Sequence, residues 1–260
     1  VQFMFQLPFL ARLRLLPVPQ PVSGHEGVGR IKTLMVPALF GVSVSQINLL
    51  LDTVIASMLV AGSVSWLYFS DRLMELPLGI FGVAIAIAVL PSLSRKHAEQ
   101  SMSEFAATLD WALRLICLIA IPATAALVLL AEPLLITLFQ NDNFTVQDVT
   151  SAAGSLRAYA LGLLAFMVIK IFAPGFYARQ DTRTPVRIGV IAMTVNMVLN
   201  ITFFTAGFAH VGLALATSLA AFVNAGLLWR GLVREQVFQL QPGWGKFLLQ
   251  MLAANLVMAL

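Results

Sequence analysis

Apolar residues make up 59% of this 260-residue chain and charged residues 11%, with a mean hydropathy of +0.89; a soluble domain carries about 25% charged residues, so a water-soluble globular protein is excluded. The apolar runs are far too long for barrel strands, which leaves a helical membrane bundle. A single cysteine, three histidines that form no ligand cluster and the lack of any zinc, haem or phosphate-loop spacing exclude disulfide scaffolds and the common metal and nucleotide chemistries, and the net charge of +4 informs only through its distribution.

In chain order, a short apolar tail over 1–10 leads into a basic connector, 11–32. It carries Arg12, Arg14, Arg30 and Lys32 among Pro17, Pro19, Pro21, Gly24, Gly27 and Gly29. Apolar runs follow at 33–60, 64–93, 105–139, 149–178, 188–206 and 211–229, and a last one begins at Phe247. The six are close to or beyond the roughly 20 residues a bilayer requires. The expected fold is therefore all-α: a polytopic transmembrane bundle over 33–260, with six full spans and a truncated last helix. The chain opens on Val without a signal peptide and stops inside an apolar run, so both ends read as cuts and a larger protein is expected. Pro37, Pro77, Pro122 and Pro174 fall inside spans and should bend or locally open them. Cys117, mid-helix among Ile and Leu, reads as inert packing.

The connectors alternate in charge. Those at 11–32, 94–104, 179–187 and 230–246 hold twelve of the sixteen Lys and Arg, whereas 61–63, 140–148 and 207–210 hold none. By the positive-inside rule the basic side is cytoplasmic. The run 64–93 then enters from outside and ends near Pro91 on the inside.

Three ionisable residues interrupt that run, in Ser70-Asp71-Arg72-Leu73-Met74-Glu75-Leu76-Pro77. Helical spacing sets Asp71 and Glu75 one turn apart and Arg72 against Glu75 at i, i+3, and the same seam gathers Ser65, Tyr68, Gly79 and Gly82. A charge near the bilayer centre costs at least about 2.5 kcal/mol on insertion scales. One reading is an Arg–carboxylate pair that locks helices together; the other, favoured for ionisable residues at this depth, is a polar cavity for a charged substrate. Among the remaining cations, Arg114 faces Asp110 at i, i+4, Arg157 either snorkels or faces the cavity, and Lys170 beside Pro174-Gly175 either snorkels or meets substrate. Glu132-Pro133 reads as a structural feature of the outer interface.

A second polar set is chemically coherent. Ser45, Asn48 and Asp52 share a face of the first full span, Asn196 and Asn200 a face of the fifth, and the sixth carries Thr217, Ser218 and Asn224. Carboxylate, amide and hydroxyl oxygens suit a hard cation such as Na⁺, or Asp52 alone could carry a proton. On the residues alone, interhelical hydrogen bonding is the plainer explanation.

Several stretches, in order along nearly the whole chain, closely resemble the MurJ/MviN family of lipid II flippases. They are Gly41-Val42-Ser43-Val44-Ser45-Gln46, Ser63-Val64-Ser65-Trp66-Leu67-Tyr68 running on through Asp71 to Pro77, Leu90-Pro91-Ser92-Leu93-Ser94, Ala173-Pro174-Gly175-Phe176-Tyr177-Ala178-Arg179-Gln180-Asp181-Thr182-Arg183-Thr184-Pro185 and Gln241-Pro242-Gly243-Trp244. The resemblance implies the fold of the multidrug/oligosaccharidyl-lipid/polysaccharide exporter superfamily: two helical lobes about a central cavity, working by alternating access. This chain resembles the second lobe with the edge of the first, so a missing N-terminal lobe is an implied partner. The cavity motif carries over to Ser65, Asp71, Arg72 and Glu75. The family's cation-coupling site maps onto Asp52, Asn196, Asn200 and Thr217, with Asn200 where a carboxylate is found, so the coupling ion, Na⁺ or H⁺, stays open.

The implied function is movement of undecaprenyl-pyrophosphate-linked disaccharide-pentapeptide (lipid II) from the cytoplasmic to the periplasmic leaflet of the bacterial inner membrane, for peptidoglycan synthesis. Arg72 would bind the pyrophosphate, Asp71 and Glu75 would orient and release it, and the lipid tail would stay in the bilayer. No bond is made or broken, and no cofactor or nucleic acid is implied. The alternatives are an exporter of another polyprenyl-linked sugar or of drugs, and, in a different class, a membrane enzyme acting on polyprenyl phosphates. Such enzymes usually hold acidic and cationic clusters at the cytoplasmic face, often with a metal; here the charges lie at mid-depth.

Overall fold

A computed structural model describes residues 2–13 and 26–259, and among these every regular element is helical. The chain forms two compact units, Val1–Val36 and Pro37–Leu260. Helix α1 (Gln2–Arg12) lies in the first, and α2 (Glu26–Ser57) starts earlier than the basic connector had suggested. The rest of that connector, 14–25, lies outside the described residues. All the candidate site residues belong to the second unit.

The run bearing the three charges forms one long element, Ser63–Ala98. It comprises α3 (Ser63–Pro77), a π-helical segment (Leu78–Val83) and α4 (Ala84–Ala98). Pro77 has no N–H to give to the carbonyl four residues back, and the ladder widens to i→i+5 spacing just beyond it, the local opening expected of a proline there. The helix does not stop at Pro91. It runs to Ala98, where Arg95, Lys96 and His97 in the last turn suit the negative end of the helix dipole.

The apolar run 105–139 is not a single span. It divides into α5 (Met102–Leu129) and the short α6 (Ala131–Phe139). Pro133 is the cause: it cannot donate to Leu129, while in the first turn of a new helix its missing N–H costs nothing. Arg157 holds α6 in place, donating to Glu132 at 3.0 Å and to the Val128 carbonyl at 3.3 Å.

The remaining helices are α7 (Val146–Tyr177), α8 (Arg183–Thr205), α9 (Ala209–Arg234) and α10 (Trp244–Ala259). Among the described residues, five helices are long and apolar enough to cross a membrane: Ser63–Ala98, α5, α7, α8 and α9. On α2 the stretch Gln46–Ser57 is apolar but shorter. Helix α7 is the hub, packed against α3, α4, α5, α6 and α9, while α8 lies on α9 and α10 on α5.

The tightest seam is between α7 and α9. Small residues line it: Ala158, Gly162 and Ala165 on one helix, Ala214, Ser218, Ala221 and Ala225 on the other. A Cβ at Gly162 would sit 2.8 Å from the Ser218 Cα, and the Ser218 hydroxyl donates to the Ala158 carbonyl at 2.7 Å. In lipid, where apolar attraction between helices is weak, such close approach and hydrogen bonding hold helices together. Large apolar side chains such as Leu118 and Ile201 stay exposed on the outside, as a lipid-facing surface requires.

Candidate functional site

One face of α3 is pinned to the hub. Leu67, Ser70, Leu73, Met74 and Pro77 are buried; the Ser70 hydroxyl donates to the Ala152 carbonyl at 2.7 Å and the Trp66 indole to Asp148 at 2.8 Å. Asp148 also forms a capping box with Thr145 at the start of α7, so one carboxylate fixes both the helix start and its neighbour. The other face carries Ser65, Tyr68, Arg72 and Glu75. Arg72 donates to Glu75 at 2.6 Å, and its guanidinium lies 4.9 Å from the Tyr68 ring centroid. The two charged side chains remain 52% and 49% exposed. That exposure decides the character of the face: charges left open on a spanning helix are unaffordable against acyl chains, so the stripe is built to border water or other polar groups.

Asp71 is half-buried at the edge of this stripe, within electrostatic reach of Arg72 and Glu75 on one side and of Tyr159 on the other. Ser65 is exposed two turns toward the helix start. It lines a hollow of about 290 Å³ with Trp66, Asn141 and Asp148 and makes no contact with Arg72.

The second polar set comes together from three helices. Asp52 on α2 accepts from Asn48 at 3.0 Å and from Asn200 at 2.6 Å; Asn200 donates to Asn196 at 2.9 Å, and Asn196 to the Thr217 hydroxyl at 3.2 Å. Turning the Asn196 amide over brings its nitrogen 3.1 Å from Asp52 and its oxygen 3.2 Å from both the amide and hydroxyl of Thr217, so this amide has two workable orientations. Asn196 and Asn200 are buried, and the Asn200 Oδ1 is left without a donor. A carboxylate, an orphaned amide oxygen and a hydroxyl in one cluster fit a small hard cation. The side chain of Ser45 lies outside the described residues.

Tyr159 joins the two sets, lying within electrostatic reach of both Asp71 and Asp52. Little in the sequence marks it, since one tyrosine in an apolar run usually packs at an interface. Arg114 does pair with Asp110, at 2.8 Å, but does more. The Asp110 carboxylate also accepts from the Trp244 indole at 2.6 Å, and Arg114 donates to the Gln241 and Pro242 carbonyls, so the pair anchors the start of α10. Lys170 lines an open cavity of about 850 Å³ bordered by α2, α4, α7, α8 and α9.

The sequence matches the family model described as lipid II flippase MurJ over residues 1–260. It is 52% identical to a probable lipid II flippase MurJ of Vibrio cholerae over 99% of this chain and 49% of that protein. It is 42% identical to the lipid II flippase MurJ of Burkholderia cenocepacia over 100% of this chain and 51% of that one. The chain thus spans about half the length of the curated relatives it matches. Among solved structures, it resembles a lipid II flippase MurJ in an inward closed conformation with a TM-score of 0.75 and 26% identity, over 97% of this chain and 52% of that one. An outward-facing multidrug transporter of the MATE family matches with a TM-score of 0.69 at 18% identity, over 87% and 51%, a likeness of fold alone.

Proposed function

Because the chain belongs to the lipid II flippase MurJ family, we propose that it forms one lobe of a flippase that moves lipid II across the bacterial inner membrane, in which it is a multi-pass protein. The observation that carries this reading is the exposed Arg72–Glu75 pair on a membrane-spanning helix. A second lobe facing this stripe would enclose it as a polar cavity. The pyrophosphate of the substrate needs a fixed cation in low-dielectric surroundings, and a guanidinium offers a planar fork of donors matched to phosphate oxygens. Glu75 holds that fork while the cavity is empty and yields it when the anion arrives. Asp71 beside it adds negative charge that keeps the phosphate from binding too tightly to leave. The prenyl tail stays in the bilayer, and no bond is made or broken.

Asp52, Asn196, Asn200 and Thr217 would hold the coupling cation, Na⁺ or H⁺. Tyr159, within electrostatic reach of Asp52 and Asp71, would let occupancy of one site bias the other. The test is complementation of a flippase-depleted bacterium by a full-length relative in which this chain replaces the segment it matches. Growth with the native sequence and lysis with Arg72→Ala, at equal protein levels, supports the reading. Growth with Arg72→Ala ends it.

A further inference from the structure

The cavity of about 850 Å³ is walled by equal lengths of three helices: Phe166 to Tyr177 on α7, Pro185 to Asn196 on α8 and Thr217 to Leu228 on α9. Each stretch rises about 16 Å at 1.5 Å per residue. Tyr177 ends α7, Pro185 lies in the first turn of α8 and Leu228 is in the last third of α9. These three lie toward the end of the bundle with the basic connectors. At the deep end, Asn48, Asn196 and Thr217 are both cavity lining and members of the Asp52 cluster. None of Ser65, Asp71, Arg72 and Glu75 lines it.

We propose that this cavity is a vestibule through which the coupling cation reaches Asp52 from the cytoplasmic side, by a door separate from the Arg72 face. The inference rests on the cation reading of the Asp52 cluster. Small side chains, Gly189, Ala192, Ala220 and Ala221, keep the lumen open along α8 and α9, and Asn224 gives it a polar foothold midway. Among the described residues no carboxylate lines it, and Lys170 does. A cation inside therefore meets like charge first and finds its counter-charge only at Asp52, which makes the vestibule a passage rather than a resting site.

The test is thiol access in the same full-length graft, with Cys117→Ala as background and Ala192→Cys or Ala220→Cys as reporters. A cationic, membrane-impermeant methanethiosulfonate is applied to inverted and to right-side-out membrane vesicles. Reaction about tenfold faster in the inverted vesicles is expected, with no reaction at the lipid-facing control Leu118→Cys. Sodium in place of choline, or a lower pH in choline, should slow the cytoplasmic reaction several-fold more than in an Asp52→Asn background, where acid acts only by protonating the reporter thiol, because a cation held at Asp52 cancels the charge that draws the reagent in. Whichever of the two slows the reaction beyond that background identifies the ion, and sidedness should persist in Asp52→Asn. Reaction from the outer side alone, or from neither, overturns the vestibule even where a cation effect remains. Sided reaction that neither sodium nor acid slows beyond the Asp52→Asn background overturns the cation reading itself, and the proposal with it.

Discussion

At the scale of single residues, Arg72 separates a substrate ligand from a structural lock. A lock is satisfied by any well-packed pair, and replacing a buried ion pair by apolar groups of similar volume is often neutral or stabilising. A phosphate ligand is not replaceable in that way. Arg72→Lys should therefore abolish complementation nearly as fully as Arg72→Ala, since a point charge lacks the fork, while membrane levels measured by immunoblot stay unchanged. The double change Arg72→Met with Glu75→Gln should insert normally and remain inactive; recovered growth would make the pair structural. Asp52→Asn is expected to slow lipid II turnover without lowering expression, because its amide oxygen can still accept from Asn200 and its nitrogen can donate to Asn48 once the Asn48 amide turns over, while the charge is lost. Arg72 and Glu75 were legible in the sequence because helical spacing alone brings them together. So was the grouping of Asp52 with Asn196, Asn200 and Thr217, though only once a family resemblance said which spans meet. Tyr159 was not, because nothing local distinguishes a tyrosine between two carboxylates from one at a lipid interface.

At the scale of elements, the α7–α9 seam shows which glycines matter. At Gly162 even a methyl group would press on the Ser218 backbone at 2.8 Å, so Gly162→Ala should force the helices apart and cost about 1–3 kcal/mol, as overpacking does. At Gly226, on the same α9, an added Cβ meets nothing within 4 Å. Gly226→Ala should accordingly stabilise by roughly 0.5–1 kcal/mol through helix propensity alone. Thermal unfolding in detergent, followed by the helical circular dichroism signal, reads both, and equal shifts at the two sites would contradict the seam. The break at Leu130 and the π-helical segment after Pro77 mark the limit of pattern reading. Hydropathy sees 105–139 as one apolar run because α5 and α6 are both apolar; only the hydrogen-bonding rule at Pro133 divides it. Pro91 and Pro174, which obey the same rule, are carried inside helices that continue past them.

At the scale of the whole membrane-embedded unit, the contacts sort the helix ends into two sets before any membrane is invoked. Trp66 to Asp148, and His210 to the Ser151 carbonyl at 3.1 Å, join the starts of α3, α7 and α9. At the opposite end Arg179 at the close of α7 meets Glu235 beyond α9 at 2.6 Å. The second end gathers Arg95, Lys96, Arg179, Arg183, Arg230 and Arg234, and the first has no Lys or Arg in its connectors. A segregation this complete orients the protein with the Arg179 end in the cytoplasm. In the proposed function, the same orientation would set the side from which substrate is loaded and the side on which the vestibule opens. In the Cys117→Ala background, cysteines at Asn141 or Thr205 should react with an impermeant thiol reagent in whole cells, and cysteines at Ala98 or Thr182 only after the inner face is opened. Thr205 serves better than Gly207 beside it, whose φ of +80° would strain any side chain placed there. The reverse pattern would turn the bundle over. The Asp52 vestibule would then open to the periplasm, and the proposed direction of lipid movement would fall with it.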